Sequence, residues 1–168
     1  MHKPVPVLLL LCLHATALLA QIEKTIETQL PQVKAVPYGK GEQPSVAFSD
    51  SAYLVIQKLD KYAIPFLLEK LKDSSLTGIA NTCTGGQYRV GDIALFLIND
   101  IEPIPYYMVT GMQWCLLGEC GMLPAGFLDY VAGNRIGFYT AYRNFYYGDG
   151  RKEWRKTSKK RGKKKRRE

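Results

Sequence analysis

The sequence predicts an all-α fold, a short α-α superhelix followed by a disordered basic tail, and three observations carry that expectation. Apolar residues recur at i, i+3, i+4 and i+7 in several separate segments, the spacing of one helix face. Two such segments run into the same Ile-Pro step, Ile64-Pro65 and Ile104-Pro105, about forty residues apart. A repeat of that length, with one helix pair per unit, is the pattern of an α-solenoid. The third observation is charge. Twelve Lys/Arg against two Asp/Glu between Arg151 and Glu168 give that stretch a net of +10, so the rest of the 168 residues, with a formal total of +8, sits near −2.

The chain opens on what reads as a secretion signal. Lys3 supplies a basic start, Val5 to Leu13 form an apolar run broken only by Pro6, and small residues follow at Ala15, Ala17 and Ala20. Cleavage after Ala20 is preferred, with Ala17 as the alternative, and the apolar run is too short to span a bilayer. No later segment is long and apolar enough to be transmembrane. The expected destination is an oxidising compartment, periplasmic or secreted.

Behind the signal, Ile22, Ile26 and Leu30 lie four apart in a short amphipathic helix that Pro31 ends. Residues 31–48 carry three prolines and two glycines and read as an extended linker. Ser49, Asp50 and Ser51 then offer N-cap oxygens to a helix whose face is Ala52, Val55, Ile56 and Leu59. Ile64, Leu67, Leu68 and Leu71 repeat that spacing, with Pro65 tolerated in the first turn. Lys72 to Gln87 is polar and glycine-containing, which predicts a loop. Val90 to Ile101 is apolar on more than one face, the mark of a central helix, and Asp92 stands where a helix N-terminus favours a carboxylate. Pro103 and Pro105 introduce another helical segment with Ile104, Tyr107 and Met108. Phe127, Leu128 and Val131 predict a short helix, and Ile136 to Tyr147 a longer aromatic one.

The segment Ala52–Ser74, AYLVIQKLDKYAIPFLLEKLKDS, resembles a HEAT-type helical repeat, with an apolar first helix, a turn and A-I-P-F-L opening the second. Residues 90–112 resemble a second, degenerate copy, in which Val90, Gly91, Asp92 and Ala94 match a common start of the first helix. The resemblance covers about 60 residues and departs from the family at Cys83–Gly86 and in lacking a clear third copy. It implies stacked helices and protein-binding surfaces, and it assigns no chemistry. The expected organisation is a signal peptide over 1–20, a helix and linker over 21–48, a helical-repeat-like domain over 49–148 and a disordered basic tail over 149–168.

Composition narrows the chemistry. Both histidines, His2 and His14, fall inside the signal, so the exported chain would hold none. That excludes Ser-His and Cys-His nucleophile pairs and imidazole-dependent zinc sites. Of the three remaining cysteines, Cys115 and Cys120 bracket a short span that Gly118 lets turn back and form the favoured disulfide. Pairs joining Cys83 to either one are the alternatives. No cofactor or metal site is expected. Asp92, Asp100, Glu102, Glu119 and Asp129 are candidates for paired-carboxylate hydrolysis, though helix caps and solvated faces account for each. Ser74 and Ser75 beside Lys72 offer no better case for a Ser-Lys pair. The aromatics of the C-terminal third, with Arg135 and Arg143, read as the capped end of a solenoid in preference to a base-stacking surface.

The basic tail is expected to stay unfolded because it repels itself and has little apolar area to bury. Its candidate contacts to polyanions are Arg151, Lys152, Arg155, Lys156, Lys159, Lys160, Arg161, Lys163, Lys164, Lys165, Arg166 and Arg167. Anionic lipid, lipopolysaccharide and other polyanions are its potential partners. The leading expectation is an exported, non-enzymatic protein-interaction module of the cell envelope that binds another envelope protein. The alternatives are a surface or polyanion binder acting through the tail, and a histidine-free hydrolase using carboxylates.

Overall fold

The computed structural model describes residues 5–38, 50–114 and 123–165, with side chains placed for 16–38, 50–114 and 123–158. Helix α1 spans Val5–Gln29 and passes into a 3-10 turn, Leu30–Gln32, with Pro31 inside it. Helix α2 is Ser51–Gln57 and α3 is Ile64–Lys70, joined through a 3-10 turn at Asp60–Tyr62. A β-hairpin follows, β1 Leu76–Ala80 against β2 Gln87–Arg89, leading into α4, Val90–Ile101. Helices α5 Tyr106–Thr110, α6 Phe127–Gly133, α7 Arg135–Tyr147 and α8 Asp149–Lys165 complete the order. The fold is thus mainly helical, as expected. No helix among the described residues is long and apolar enough to cross a membrane.

Helix α4 is the axis of the packing. Ile93 to Ile98 are all buried, because this helix is covered by α2, α3, the Leu30–Gln32 turn and β2. Tyr88 on β2 is fully buried and meets Phe96 edge-on at 5.1 Å, while Tyr38 stacks on Phe96 at 4.3 Å. Helix α7 organises the other half, packing on α3, α5, α6 and α8 through Phe138, Tyr142 and Phe145. In α1 the residues from Thr16 to Gln21 are exposed, and burial starts at Ile22, Ile26 and Leu30, the predicted apolar face.

A buried ion pair ties three helices together. The Arg135 guanidinium on α7 donates from Nη2 to Asp92 Oδ1 on α4 at 2.7 Å and from Nη1 to the carbonyl of Leu71, just past α3, at 3.1 Å. The other carboxylate oxygen of Asp92 accepts the Arg89 backbone N–H at 2.8 Å, the N-terminal role predicted for it. Both charges are buried and hydrogen-bonded, the condition under which buried ions are tolerated.

Several expectations are corrected. The start of the predicted linker belongs to the core: Val33 and Tyr38 are buried. Asp50 ties this stretch to α2, accepting from Lys34 and Ala35 N–H at Oδ2 and from Tyr53 N–H at Oδ1. Residues 39–49 lie outside the described part. On α2 the buried face is Ala52, Tyr53 and Ile56, with Val55 at 40% exposure. The predicted loop over 72–87 contains strand β1 and the turn of the hairpin, closed by Gly85 and Gly86 in the left-handed region and by Asn81, whose side-chain oxygen accepts from Cys83 and Thr84 N–H.

The largest departure is the basic segment. The sequence predicts disorder from residue 149 onward, yet Asp149–Lys165 is a helix and its first turns are packed on the body. Arg151, Trp154 and Arg155 are each partly buried. The reason lies far upstream, in a carboxylate that neutralises two of the arginines.

Candidate binding groove

That carboxylate is Glu102, at the end of α4. The extended backbone there ends the helix and leaves the Glu102 side chain buried. It receives Arg151 Nη2 at 2.6 Å and Nε at 3.4 Å, and Arg155 Nε at 3.0 Å and Nη2 at 2.9 Å. Burial alone would raise its pKa; hydrogen bonds and charge from Arg151 and Arg155 reverse that and hold the carboxyl below the ordinary glutamate range. Arg151 also lies over the Tyr146 ring at 3.7 Å. One turn of α8 is thereby clamped, and Trp154 between the two arginines is set against Phe145, with ring centroids 6.4 Å apart.

The segment facing α8 is placed by Asn99. Its side-chain oxygen accepts the Ile104 N–H at 3.1 Å and the Tyr106 hydroxyl at 2.8 Å, so the chain turns across Pro103 and Pro105 into α5. Helix α5 closes at Gly111, which has φ 70° and donates its N–H to the Tyr107 carbonyl. Thr110 then fixes the returning chain: its hydroxyl oxygen accepts from Met112 N–H and from Trp114 Nε1 at 3.0 Å. Trp114 meets Phe127 and Tyr130 edge-on, at 5.2 and 5.3 Å, and Tyr106 meets Phe127 at 4.6 Å.

Between these elements runs an open groove of about 580 Å³. Its lining is Ile104, Pro105, Tyr106, Tyr107, Met108, Gln113, Trp114 and Pro124 on the body and Trp154, Thr157 and Ser158 on α8. None of these side chains is charged. Both tryptophans of the chain line it. Tyr107 and Met108 are 67% and 46% exposed, so apolar surface is presented to solvent. An uncharged concavity of this size, rich in aromatic and proline side chains and with few polar groups, suits an apolar or aromatic side chain and a length of extended backbone.

The predicted site residues are distributed as follows. Arg151 and Arg155 are engaged by Glu102, and Lys152 pairs with Asp149 at 2.9 Å. Lys156 is exposed on α8, and Lys159, Lys160, Arg161, Lys163, Lys164 and Lys165 continue that helix. Arg166 and Arg167 lie outside the described residues. Cys83 sits with its sulfur 3.1 Å from the Tyr88 hydroxyl, while Cys115 and Cys120 lie outside the described residues.

Three of the five candidate carboxylates are engaged separately. Asp92 holds Arg135, and Glu102 holds the α8 arginines. Asp100 accepts the hydroxyls of Tyr38 and Tyr53, the latter at 2.7 Å. Burial raises the Asp100 carboxyl above its ordinary range although both hydroxyls favour its charge, and burial beside Asp100 pushes Tyr38, Tyr53 and Tyr106 up as well. Asp129 lies in the first turn of α6, and Glu119 is outside the described residues. Among the described residues, no three His, Cys, Asp or Glu gather as a metal-binding group. Sequence reading missed the groove because it joins residues about fifty positions apart. One signal was present: Trp154 is a lone aromatic in an otherwise polar, charged run.

No protein-family model matches the chain, and comparison with curated proteins and with solved structures gives no significant match.

Proposed function

We propose that this chain is an exported, non-enzymatic protein-interaction module of the cell envelope, and that its binding surface is the groove between α5, Trp114 and α8. The observation that carries the reading is the uncharged, aromatic- and proline-lined groove of about 580 Å³ with Tyr107 and Met108 open to solvent. Export is supported by the exposure of Thr16 to Gln21 on α1: cleavage after Ala20 would remove no described core side chain, since burial begins at Ile22. On this reading, α2 with α3 and α4 with α5 are two HEAT-like pairs, and α6 to α8 cap the second.

The test is capture from envelope extract at low and high salt, with three forms of the chain. One is full length, one ends at Ser158, and one carries Met108→Arg in the groove. The form ending at Ser158 keeps the α8 residues that line the groove and removes eight basic residues. A protein retained by the shortened form at high salt and lost with Met108→Arg supports the groove. Capture that disappears with the last residues or with salt, and ignores Met108→Arg, would replace this reading with polyanion binding through the tail.

A further inference from the structure

The groove and the cations beside it point to one class of partner. We infer that the occupant is an acidic segment of another protein carrying one bulky apolar or aromatic residue, which enters the groove while its Asp and Glu side chains lie along α8. This inference rests on the groove reading above and adds the chemistry of the partner.

Three observations combine. The groove is uncharged, so it selects an apolar anchor and gives no reward to a charged one. The wall made by Trp154, Thr157 and Ser158 belongs to the same helix that carries the basic run. That run is unbalanced. Glu102 satisfies Arg151 and Arg155 and Asp149 satisfies Lys152, but from Lys156 onward nine basic residues face a single carboxylate, Glu168. Helical periodicity places Arg161 and Lys165 on the register of Trp154 and Ser158, so the backbone of α8 extends the groove wall into the cationic stretch.

Phosphate groups or anionic headgroups would answer the charge by themselves, without drawing on the apolar concavity. An apolar peptide without carboxylates would fill the concavity and leave the cations unanswered. A segment with both features satisfies both surfaces at once, with the apolar anchor supplying affinity and the carboxylates orientation and rate.

Both tryptophans line the groove, so binding is read from intrinsic fluorescence with a tryptophan-free probe. The probe is a peptide of about ten residues with a Pro-Phe centre and Glu/Asp flanks. Its companions replace the centre by Gly-Gly, or the flanks by Lys; vesicles of phosphatidylcholine and phosphatidylglycerol and an oligothymidylate are run beside them.

The expected result is saturable binding of the acidic Pro-Phe peptide, weakened about tenfold or more by the Gly-Gly centre and by the Lys flanks. Met108→Arg decides the mode, because it obstructs the groove while adding a positive charge. Groove binding falls with that variant, and purely electrostatic binding rises. Tyr107→Ala, at an exposed position, gives a second reading that does not depend on folding of the core. Equal affinity for the Lys-flanked peptide would overturn the acidic partner and leave the groove reading standing. No peptide binding, together with binding of vesicles or oligothymidylate unaffected by Tyr107→Ala, would overturn both.

Discussion

Arg155 on α8 reaches back to Glu102 at the end of α4 with two hydrogen bonds, Nε to Oε1 at 3.0 Å and Nη2 to Oε2 at 2.9 Å, across 53 positions of sequence. With Arg151 on the same carboxylate, this fork converts part of a self-repelling basic run into a wall of the groove. Replacing Glu102 should therefore release α8 while leaving the rest of the core intact. Glu102→Gln keeps the shape and removes the charge that two guanidiniums share, a loss of about 2 kcal/mol from the docking of α8. Trp154 would become more exposed, so its fluorescence should shift to the red and α8 should become the first site of tryptic cleavage. Unchanged cleavage in α8 would show that Trp154 packing alone holds the helix.

What could be read in advance divides by the distance over which each element is specified. The predicted helices over Ile64–Leu71, Val90–Ile101 and Phe127–Val131 rest on i to i+4 spacing, and their apolar residues are buried almost throughout. The hairpin escapes the sequence reading because β1 and β2 have five and three residues, with one buried side chain each, Ile79 and Tyr88, too few for an alternation to show. Tyr38 reads as linker in the sequence because prolines and glycines dominate its surroundings, and its partners Asp100 and Asn99 are about sixty positions away. The folding of α8 depends on Glu102 in the same way. Composition identified the excess charge correctly and could not identify the carboxylate that answers part of it.

Gly91 is fixed by what surrounds it. A Cβ there would stand 2.3 Å from Arg135 Nη1, 2.5 Å from the Leu71 carbonyl oxygen and 2.9 Å from that of Asp73. Two of these are backbone atoms, and the third belongs to the buried pair with Asp92, so none can retreat without breaking a hydrogen bond. Gly91→Ala should destabilise the protein by about 3 kcal/mol or more, the upper range for overpacking. Gly78→Ala is the control, since no atom of the described residues lies within 4 Å of a Cβ added there. Urea midpoints of the two variants compare them directly; equal midpoints would show that α4 can shift away from α3.

Asp100 and Glu102 should give stability opposite slopes with pH. Burial raises the Asp100 carboxyl, so the folded protein binds that proton more tightly than the unfolded chain does. Stability from this group rises as pH falls from the raised value toward the ordinary aspartate range. Hydrogen bonds from Arg151 and Arg155 outweigh burial at Glu102 and lower its carboxyl, so its contribution is full above the ordinary glutamate range and is lost as pH falls through the depressed value. Urea midpoints measured against pH should lose the first slope in Asp100→Asn and the second in Glu102→Gln. Loss of the acid-side slope in Asp100→Asn instead would reverse the assignment.

Cysteine pairing can be weighed from loop length and position. Closing the short loop between Cys115 and Cys120 would remove about 2 kcal/mol of unfolded-state entropy, whereas joining Cys83 to either would remove about 4 kcal/mol. Cys83 and Thr84 share a small cleft with Leu123 and Pro124, and Cys120 precedes Leu123 by three residues, a reach of about 11 Å at most. We therefore expect Cys83 to join Cys120 under oxidising conditions, with Cys115 as the competing partner, in place of the Cys115–Cys120 pair favoured by spacing. Cleavage after Glu119 without reductant separates Cys115 from Cys120, so mass spectrometry of the linked peptides identifies the partner. A peptide containing Cys83 that is alkylated without reductant would rule out both long-range pairs. Under oxidising conditions Cys83→Ser, which cannot form that bond, should then unfold at the midpoint of the reduced wild type, which ties the pairing to stability.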